Sequence, residues 1–508
     1  MAVSESAYET QVKCTTFAGL YEGGDGYNVD LKYAVKGSKN FDVRGGTLTP
    51  MAAPVPFTPA GQAASGTMTL MCVNRRYQWD AQQYVTVADI NYFLVAAGTK
   101  LYLYDPSAVS PAWTEISGVT ITNPNFDFIT YEVNFRDVGG TPTATPAPVD
   151  VLLFTNPDDG MFVFYTDDQT VQPVTIQPDP NQDPLKFGFL CRHYERIWAS
   201  GVKDRPDTLF YSAINDPLDW SANTDAPEDG AGDIDQPSWD GDRFVALRTY
   251  GSYVLAIKKQ KVWRILGTNP GEYTLKEQFG GGTIVENTVA IHDNMVIMLG
   301  YEGLMYYNGA NVAAFQHQTI QDLLKRVNKA NVGKATGCVC GDIYYLAVPL
   351  DNSTVNNCLI EYDFQERAFS IRENVSVTNF LVWDGVLYSV GVENSNFRVY
   401  KITHGDVTGA SYLPIQYVSA WQDLGRRDVT KSAFDIYLIS PTGMEITVGV
   451  ETNKKKKTKT VTLPAGKPKR VHLNTVGRYF RFILETAATN AWWNLAGGYS
   501  AKLELDWD

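Results

Sequence analysis

One pattern recurs between about residue 90 and residue 405 and limits the folds open to this chain: a short apolar strand, a polar turn, then a strand rich in aromatic residues. It runs first through Tyr92–Ala96, the turn Gly98-Thr99-Lys100 and Leu101–Asp105, then through Val151–Phe154, Asp158-Asp159-Gly160 and Met161–Tyr165. Further copies pair Arg196–Gly201 with Thr208–Ser212, Tyr253–Ile257 with Val262–Ile265, and Met295–Leu299 with Leu304–Tyr307. Ile343–Val348 with Cys358–Tyr362 and Val386–Val390 with Phe397–Tyr400 complete the series. A brief apolar run closed by turn residues is the mark of a buried strand. Seven such hairpins, spaced by roughly 40 to 60 residues with room for two more strands each, predict an all-β chain built on a β-propeller. The same pattern admits a large β-sandwich or several β-domains. Recurrent Gly-His…Trp-Asp pairs and kelch-type double glycines are missing from the repeats, so the expected propeller is a divergent one.

The pattern changes after Thr403–Leu413. Phe434, Ile436 and Leu438 alternate with polar residues, as do Ile446, Val448 and Val450, then Phe480, Phe482 and Leu484, then Leu503, Leu505 and Trp507. Half-buried strands alternate in this way, and a separate C-terminal β-sandwich is expected. The organisation predicted is an N-terminal extended segment over 1–60 whose strands join the propeller, the propeller with long loops over 61–408, and the sandwich over 409–508. The Pro/Thr-rich stretch 141–149 and the Pro-rich stretch 172–184 read as connections between blades. One segment reads as helix, where Ile320, Leu323, Leu324 and Val327 share a face behind a capping-box-like Thr319-x-x-Asp322.

Composition supports a packed core, with 44% hydrophobic residues against 19% charged. The net charge of −13, from 43 Lys and Arg against 56 Asp and Glu, opposes a protein that grips nucleic acid by neutralising phosphates. It is compatible with an acidic wall along which DNA slides. Met1–Ser6 lacks the basic and apolar regions of a secretory signal, and no apolar run approaches the ~20 residues of a membrane-spanning segment. The expected compartment is the cytosol or a particle assembled there.

Chemistry is sparse. His193, His292, His317, His404 and His472 fall in no metal-ligand spacing. Cys338 and Cys340 point to one face of a strand but have no second pair at a zinc-like distance, so buried thiols are expected. Gly280-Gly281-Gly282 lacks the Lys-Ser/Thr of a phosphate loop and reads as a turn. The loop holding Asp225, Glu228, Asp229, Asp233 and Asp235 has oxygens enough for a hard cation without EF-hand spacing, and is either a weak metal site or a solvated acidic loop. Lys454, Lys455, Lys456, Lys457 and Lys459 are a candidate docking patch for an acidic partner or DNA, or else a solvated hairpin tip that discourages edge pairing. Carboxylates are plentiful, but nothing selects a glycosidase pair, and repeated S-x-D-x-G-x-x-W boxes are missing. No cofactor is expected, and the chain is expected not to be an enzyme.

Three stretches resemble the nozzle, or tail-stabilisation (tail hub), proteins of short-tailed, podovirus-like bacteriophages. Asn40-Phe41-Asp42-Val43-Arg44-Gly45-Gly46-Thr47-Leu48 is similar to an early N-F-x-V-R-x-G-x-L segment, although Pro50-Met51-Ala52 departs from the basic residue and Pro-Gly that follow it there. Arg196–Gly201, Asp207–Ser212 and Asn215–Trp220 resemble one blade, Asp240-Gly241-Asp242 with Lys261–Gly267 the next, and Tyr301–Gly309 a further strand pair. Gly477–Phe482, after the Lys-rich hairpin, resembles the closing sandwich. The resemblance implies a structural virion protein of the phage tail, assembled in the host bacterial cytoplasm as a homo-oligomeric ring, most often a hexamer. Such a ring closes and gates the DNA channel for genome ejection, docks on a tail adaptor protein, and carries fibres or spikes, while DNA passes its lumen without specific binding. It implies architectural residues and no catalytic ones. The alternatives are another baseplate or receptor-binding propeller that recognises a host glycan, and a propeller glycan hydrolase.

Overall fold

Each of the seven apolar hairpins pairs antiparallel: Phe93 lies opposite Tyr104, Phe154 opposite Phe162, Trp198 opposite Tyr211 and Ala256 opposite Trp263. Met298 likewise faces Met305, Leu346 faces Ile360, and Val390 faces Val399. The computed structural model describes residues 8–24, 26–27, 29–79, 84–133, 137–138, 141–142, 148–177, 183–236, 241–373 and 375–506. Met1–Ser6, Trp507 and parts of both Pro-rich connections, at 143–147 and 178–182, lie outside the described residues. The described residues are all-β apart from one helix and short 3-10 turns.

A further strand joins each side of every hairpin, giving four-stranded antiparallel sheets. Sheet I holds Met68–Trp79, Tyr84–Ala97, Lys100–Tyr104 and Trp113–Glu115, and sheet II holds Asp127–Val133, Val149–Asn156, Gly160–Tyr165 and Thr170–Val174. Sheet III holds Phe189–His193, Arg196–Ser200, Thr208–Tyr211 and Gly232–Asp235, and sheet IV holds Phe244–Tyr250, Tyr253–Lys258, Lys261–Leu266 and Thr274–Phe279. Sheet V holds Ala290–His292, Met295–Gly300, Gly303–Tyr307 and Val312–Ala314, and sheet VI holds Thr336–Cys340, Ile343–Val348, Cys358–Asp363 and Ala368–Glu373. Sheet VII holds Asn379–Trp383, Val386–Glu393, Asn396–Lys401 and, from the other end of the chain, Val55–Pro56.

Neighbouring sheets pack face to face. Leu94 and Phe154 join I to II, Leu153 and Phe210 join II to III, and Trp198 and Leu247 join III to IV. Leu255 and Met298 join IV to V, Ile297 and Leu346 join V to VI, and Tyr345 and Leu387 join VI to VII. Tyr388 and Val390 of sheet VII then pack on Phe93 and Val95 of sheet I, so the series returns to its start. Middle strands such as Gly160–Tyr165 and Ile343–Val348 are covered on both faces and read as continuous apolar runs, whereas Lys261–Leu266 and Asn396–Lys401 are partly exposed. Val55 pairs with Lys401 and Pro56 with Tyr400, so backbone from before sheet I completes the last sheet.

Sheet VIII orders Tyr8–Cys14, Tyr499–Asp506, Thr430–Leu438 and Lys469–Gly477, and sheet IX orders Gln416–Val418, Phe480–Glu485, Met444–Thr452 and Lys456–Leu463. Their inward residues, among them Phe434, Val448, Phe482 and Leu503, form one apolar cluster continuous with that of sheets V and VI. Segment 1–60, expected to feed the propeller, divides between the two sets of sheets. Tyr8–Cys14 pairs with Tyr499–Asp506 because Val12 and Cys14 supply side chains to the sheet VIII core.

The helix spans His317–Lys325, so Thr319 lies within it and is not its cap, as the sequence pattern suggested. Backbone from the N-terminal segment enters its first turn, where Glu22 N–H donates to Thr319 O and Asp322 N–H donates to Glu22 O. Ile320 leaves helical geometry there. No helix among the described residues is long and apolar enough to cross a membrane.

Candidate functional site

The first strands of sheets II, III and IV pack in succession, as do those of sheets V, VI, VII and I. Where these strands begin, Asp127 of sheet II, Arg248 of sheet IV and Glu286 of the turn before sheet V meet. Arg248 Nη1 stands 4.0 Å from Asp127 Oδ2 and 4.0 Å from Glu286 Oε1, and Asp127 Oδ2 accepts from Leu190 N–H at 2.8 Å. Burial first, and then the charge of Asp127 and a hydrogen bond to it, hold the Glu286 carboxyl well above the usual carboxylate range against the pull of Arg248. Glu286 borders a cleft of about 340 Å³ that Lys203, Arg243 and Lys259 also line.

Where the first strands end, a second cleft of about 640 Å³ opens. Arg76 is locked at its wall, with its backbone N–H donating to Asp150 Oδ2 at 2.7 Å and its guanidinium bonding both Asp150 and Glu132. Arg192 is different. Its guanidinium lies 4.5 Å over the Tyr131 ring, it is exposed, and it has no carboxylate partner among the described residues. Asn74 lines the same cleft with its side-chain oxygen buried and unpartnered, and Trp383 is fixed there by donating Nε1–H to Asn91 Oδ1 at 2.8 Å. A cation on an aromatic ring, an amide oxygen and an indole suit an anionic, hydroxyl-bearing ligand.

A third cluster lies where the N-terminal segment and the chain after sheet VII pack on sheet VI. Arg372 and Glu361 of sheet VI approach to 2.9 Å with 0% and 2% of their side chains exposed. His404 stands 3.3 Å from Glu361 Oε2 and 3.3 Å from Asp42 Oδ2, and Tyr345 Oη is 2.9 Å from its Nε2. Burial works to raise Asp42, but the hydrogen bond and charge of His404, with Arg44 beside it, outweigh burial and hold it low.

The residues singled out in sequence fall elsewhere. Asp225, Glu228 and Asp229 are exposed on the loop between the third and fourth strands of sheet III, while Arg205 pairs with Asp233 and Asp235. Among the described residues no three His, Cys, Asp or Glu converge as metal ligands. Lys454 and Lys455 form a turn, and Lys456, Lys457 and Lys459 lie on the edge strand of sheet IX, with Lys456 3.3 Å from Glu485. Cys338 and Cys340 pack together toward the core between sheets VI and VII, where burial pushes both thiols up. His193 is buried, its imidazole held low by burial. Asp127, Arg192, Arg248 and Glu286 escaped sequence reasoning because they come from three different sheets and a separate turn and share no local spacing with one another.

The chain matches no family model and no curated protein. Among solved structures it is similar to the exo-β-1,3-galactanase of Phanerochaete chrysosporium, bound to β-1,3-galactotriose, at 10% identity and a TM-score of 0.25 over 74% of this chain and 95% of that one. It is also similar to the WD40 domain of Neurospora crassa Pan2, at 8% identity and a TM-score of 0.33 over 68% of this chain and 99% of that one. The galactanase match corrects the expectation that the chain is not an enzyme, and at that TM-score it puts no activity in its place.

Proposed function

We propose that the seven sheets are the blades of a divergent β-propeller, that sheets VIII and IX form a C-terminal β-sandwich, and that the chain is one subunit of the distal ring of a short phage tail. In this reading several copies, six by resemblance, surround the DNA channel, meet a tail adaptor on one side and carry fibres or spikes. The observation that supports it is where the N-terminal stretch Asn40–Leu48 lies. Asn40 Nδ2 donates to Pro414 O at 2.9 Å, its Oδ1 accepts from Glu373 N–H at 2.8 Å, and its N–H donates to Ile371 O at 2.8 Å. Phe41 packs edge-on against Tyr417, Arg44 pairs with Asp363 at 3.2 Å, and Leu48 bridges to Leu495. The residues that carry the resemblance are thus the fastening between the two sets of sheets, as a part that transmits force between neighbours requires. In the resembling blade, Arg196 is also a framework residue, donating to Ser212 O at 2.6 Å and Gly230 O at 2.7 Å. The test is location. Gold-labelled antibody against residues 409–508 is expected at the distal end of the tail of particles that contain the chain, and label on the capsid alone would refute the reading.

A second reading, recognition of a host glycan, is favoured by the cleft of Arg192, Tyr131, Asn74 and Trp383. It predicts that digalacturonate binds the purified chain and that Arg192→Gln weakens that binding by about 10-fold or more. Equal binding by the variant would remove it.

A further inference from the structure

Charge is divided unevenly along this chain. Residues 204–242 carry eleven Asp and Glu against a single Arg, whereas residues 452–484 carry ten Lys and Arg and no Asp or Glu. The fold brings members of both segments to the surface. Asp225, Glu228 and Asp229 stand exposed, without an ion-pair partner among the described residues. The loop that bears them is held from below by Arg196, whose guanidinium bonds the carbonyls of Ser212, Gly230 and Glu228. In sheet IX the edge strand is exposed continuously from Lys456 to Thr460. Lys454, Lys455, Lys457 and Lys459 are likewise exposed with no carboxylate partner among the described residues. One patch is therefore a fixed acidic loop and the other a rigid basic edge, so ordering them on contact costs little.

We propose that the lysine edge of one copy docks on the Asp225–Asp229 loop of a second copy of this chain. The proposal rests on the ring reading and gives it a contact. Two different patches that fit one another make a heterologous interface, which repeats head to tail and closes into a ring when the rotation allows. Complementary exposed charges steer such an encounter and fix its register. A second copy brings the acidic loop that matches the lysine edge, held in place by Arg196.

The test uses the full chain in two forms, unlabelled and ¹⁵N-labelled, mixed at low salt and joined with a zero-length carbodiimide that couples amines to carboxylates. Mixed-isotope peptides linking Lys454–Lys459 to Asp225–Asp229 are expected. Their yield should fall about tenfold or more in about 0.5 M salt, and likewise with Lys455→Glu, Lys457→Glu and Lys459→Glu together. Adding Asp225→Lys, Glu228→Lys and Asp229→Lys to the same chain is expected to restore association, which a fold defect would not permit. Absence of these links in the wild type, or links indifferent to charge reversal, overturns the contact. Native mass on the same samples separates the two ideas. A closed ring that survives the lysine reversal removes the contact and leaves the ring, whereas mixed-isotope links in open oligomers keep the contact and remove the closed ring.

Discussion

Arg372→Met tests the buried cluster between sheet VI and the N-terminal segment. In the wild type the guanidinium and the Glu361 carboxylate approach to 2.9 Å at 0% and 2% exposure, and Arg372 Nη1 also donates to Ala52 O at 2.8 Å. Arg372 Nε and both Glu361 oxygens lie off the hydrogen-bond directions, so the attraction between them is mainly Coulombic. Removing Arg372 leaves a buried carboxylate with the His404 imidazole as its remaining neighbour at 3.3 Å. Breaking a buried pair from one side costs about 3–5 kcal/mol. A cooperative unit of about 350 residues unfolds with an entropy of about 0.7 kcal/mol/K, so the midpoint is expected to fall by about 4–7 °C. Differential scanning calorimetry at neutral pH reads this directly, with Glu361→Gln and the double variant completing a cycle. The double variant is expected to recover at least about 2 kcal/mol relative to the sum of the single losses. A single-variant loss under about 1 kcal/mol, or plain additivity, would refute the reasoning.

Three other perturbations follow from the same structure. Burial holds the Glu286 carboxyl above its unfolded value of about 4.3, so the stability it contributes is full below that value and declines as pH rises toward the folded one. Glu286→Gln should leave denaturant midpoints unchanged near pH 4 and raise them at pH 8, and a pH-independent difference would contradict the raised carboxyl. Asp42 has the opposite sign: held low by His404 and Arg44, it stabilises above pH about 3.9, and that contribution is lost as pH falls through its lower folded value. Asp42→Asn should cost about 1–3 kcal/mol at pH 7 and little near pH 2, and an equal cost at both would exclude the linkage. Asn40 sits at φ 61°, so Asn40→Ala should be less stable than Asn40→Gly by about 1 kcal/mol, because only alanine pays for left-handed backbone. Equal thermal midpoints for the two would deny that role.

Hairpin strands such as Val151–Phe154 and Tyr344–Val348 were legible because they are buried on both faces and read as unbroken apolar runs. Outer strands were not. Thr170–Val174 and Thr274–Phe279 are largely exposed and polar, and Val55–Pro56 has only two residues, so neither periodicity nor length marks them. The pairing of Tyr8–Cys14 with Tyr499–Asp506 was hidden for another reason: nothing local to either strand names a partner at the opposite end of the chain. The same holds for the clusters. Asp127, Arg248 and Glu286 meet only because three sheets are stacked side by side, and Arg192 gains its ring contact from a tyrosine of the neighbouring sheet. The lysine run and acidic loop, by contrast, are visible in sequence because surface charge needs no partner to be clustered.

The most direct test of a ring subunit is the mass of the purified chain in solution, read with negative-stain images, alone and after addition of a short-tailed phage adaptor. A closed ring of several copies around a central pore, formed alone or on the adaptor, is the predicted result. A monomer in both conditions would contradict it.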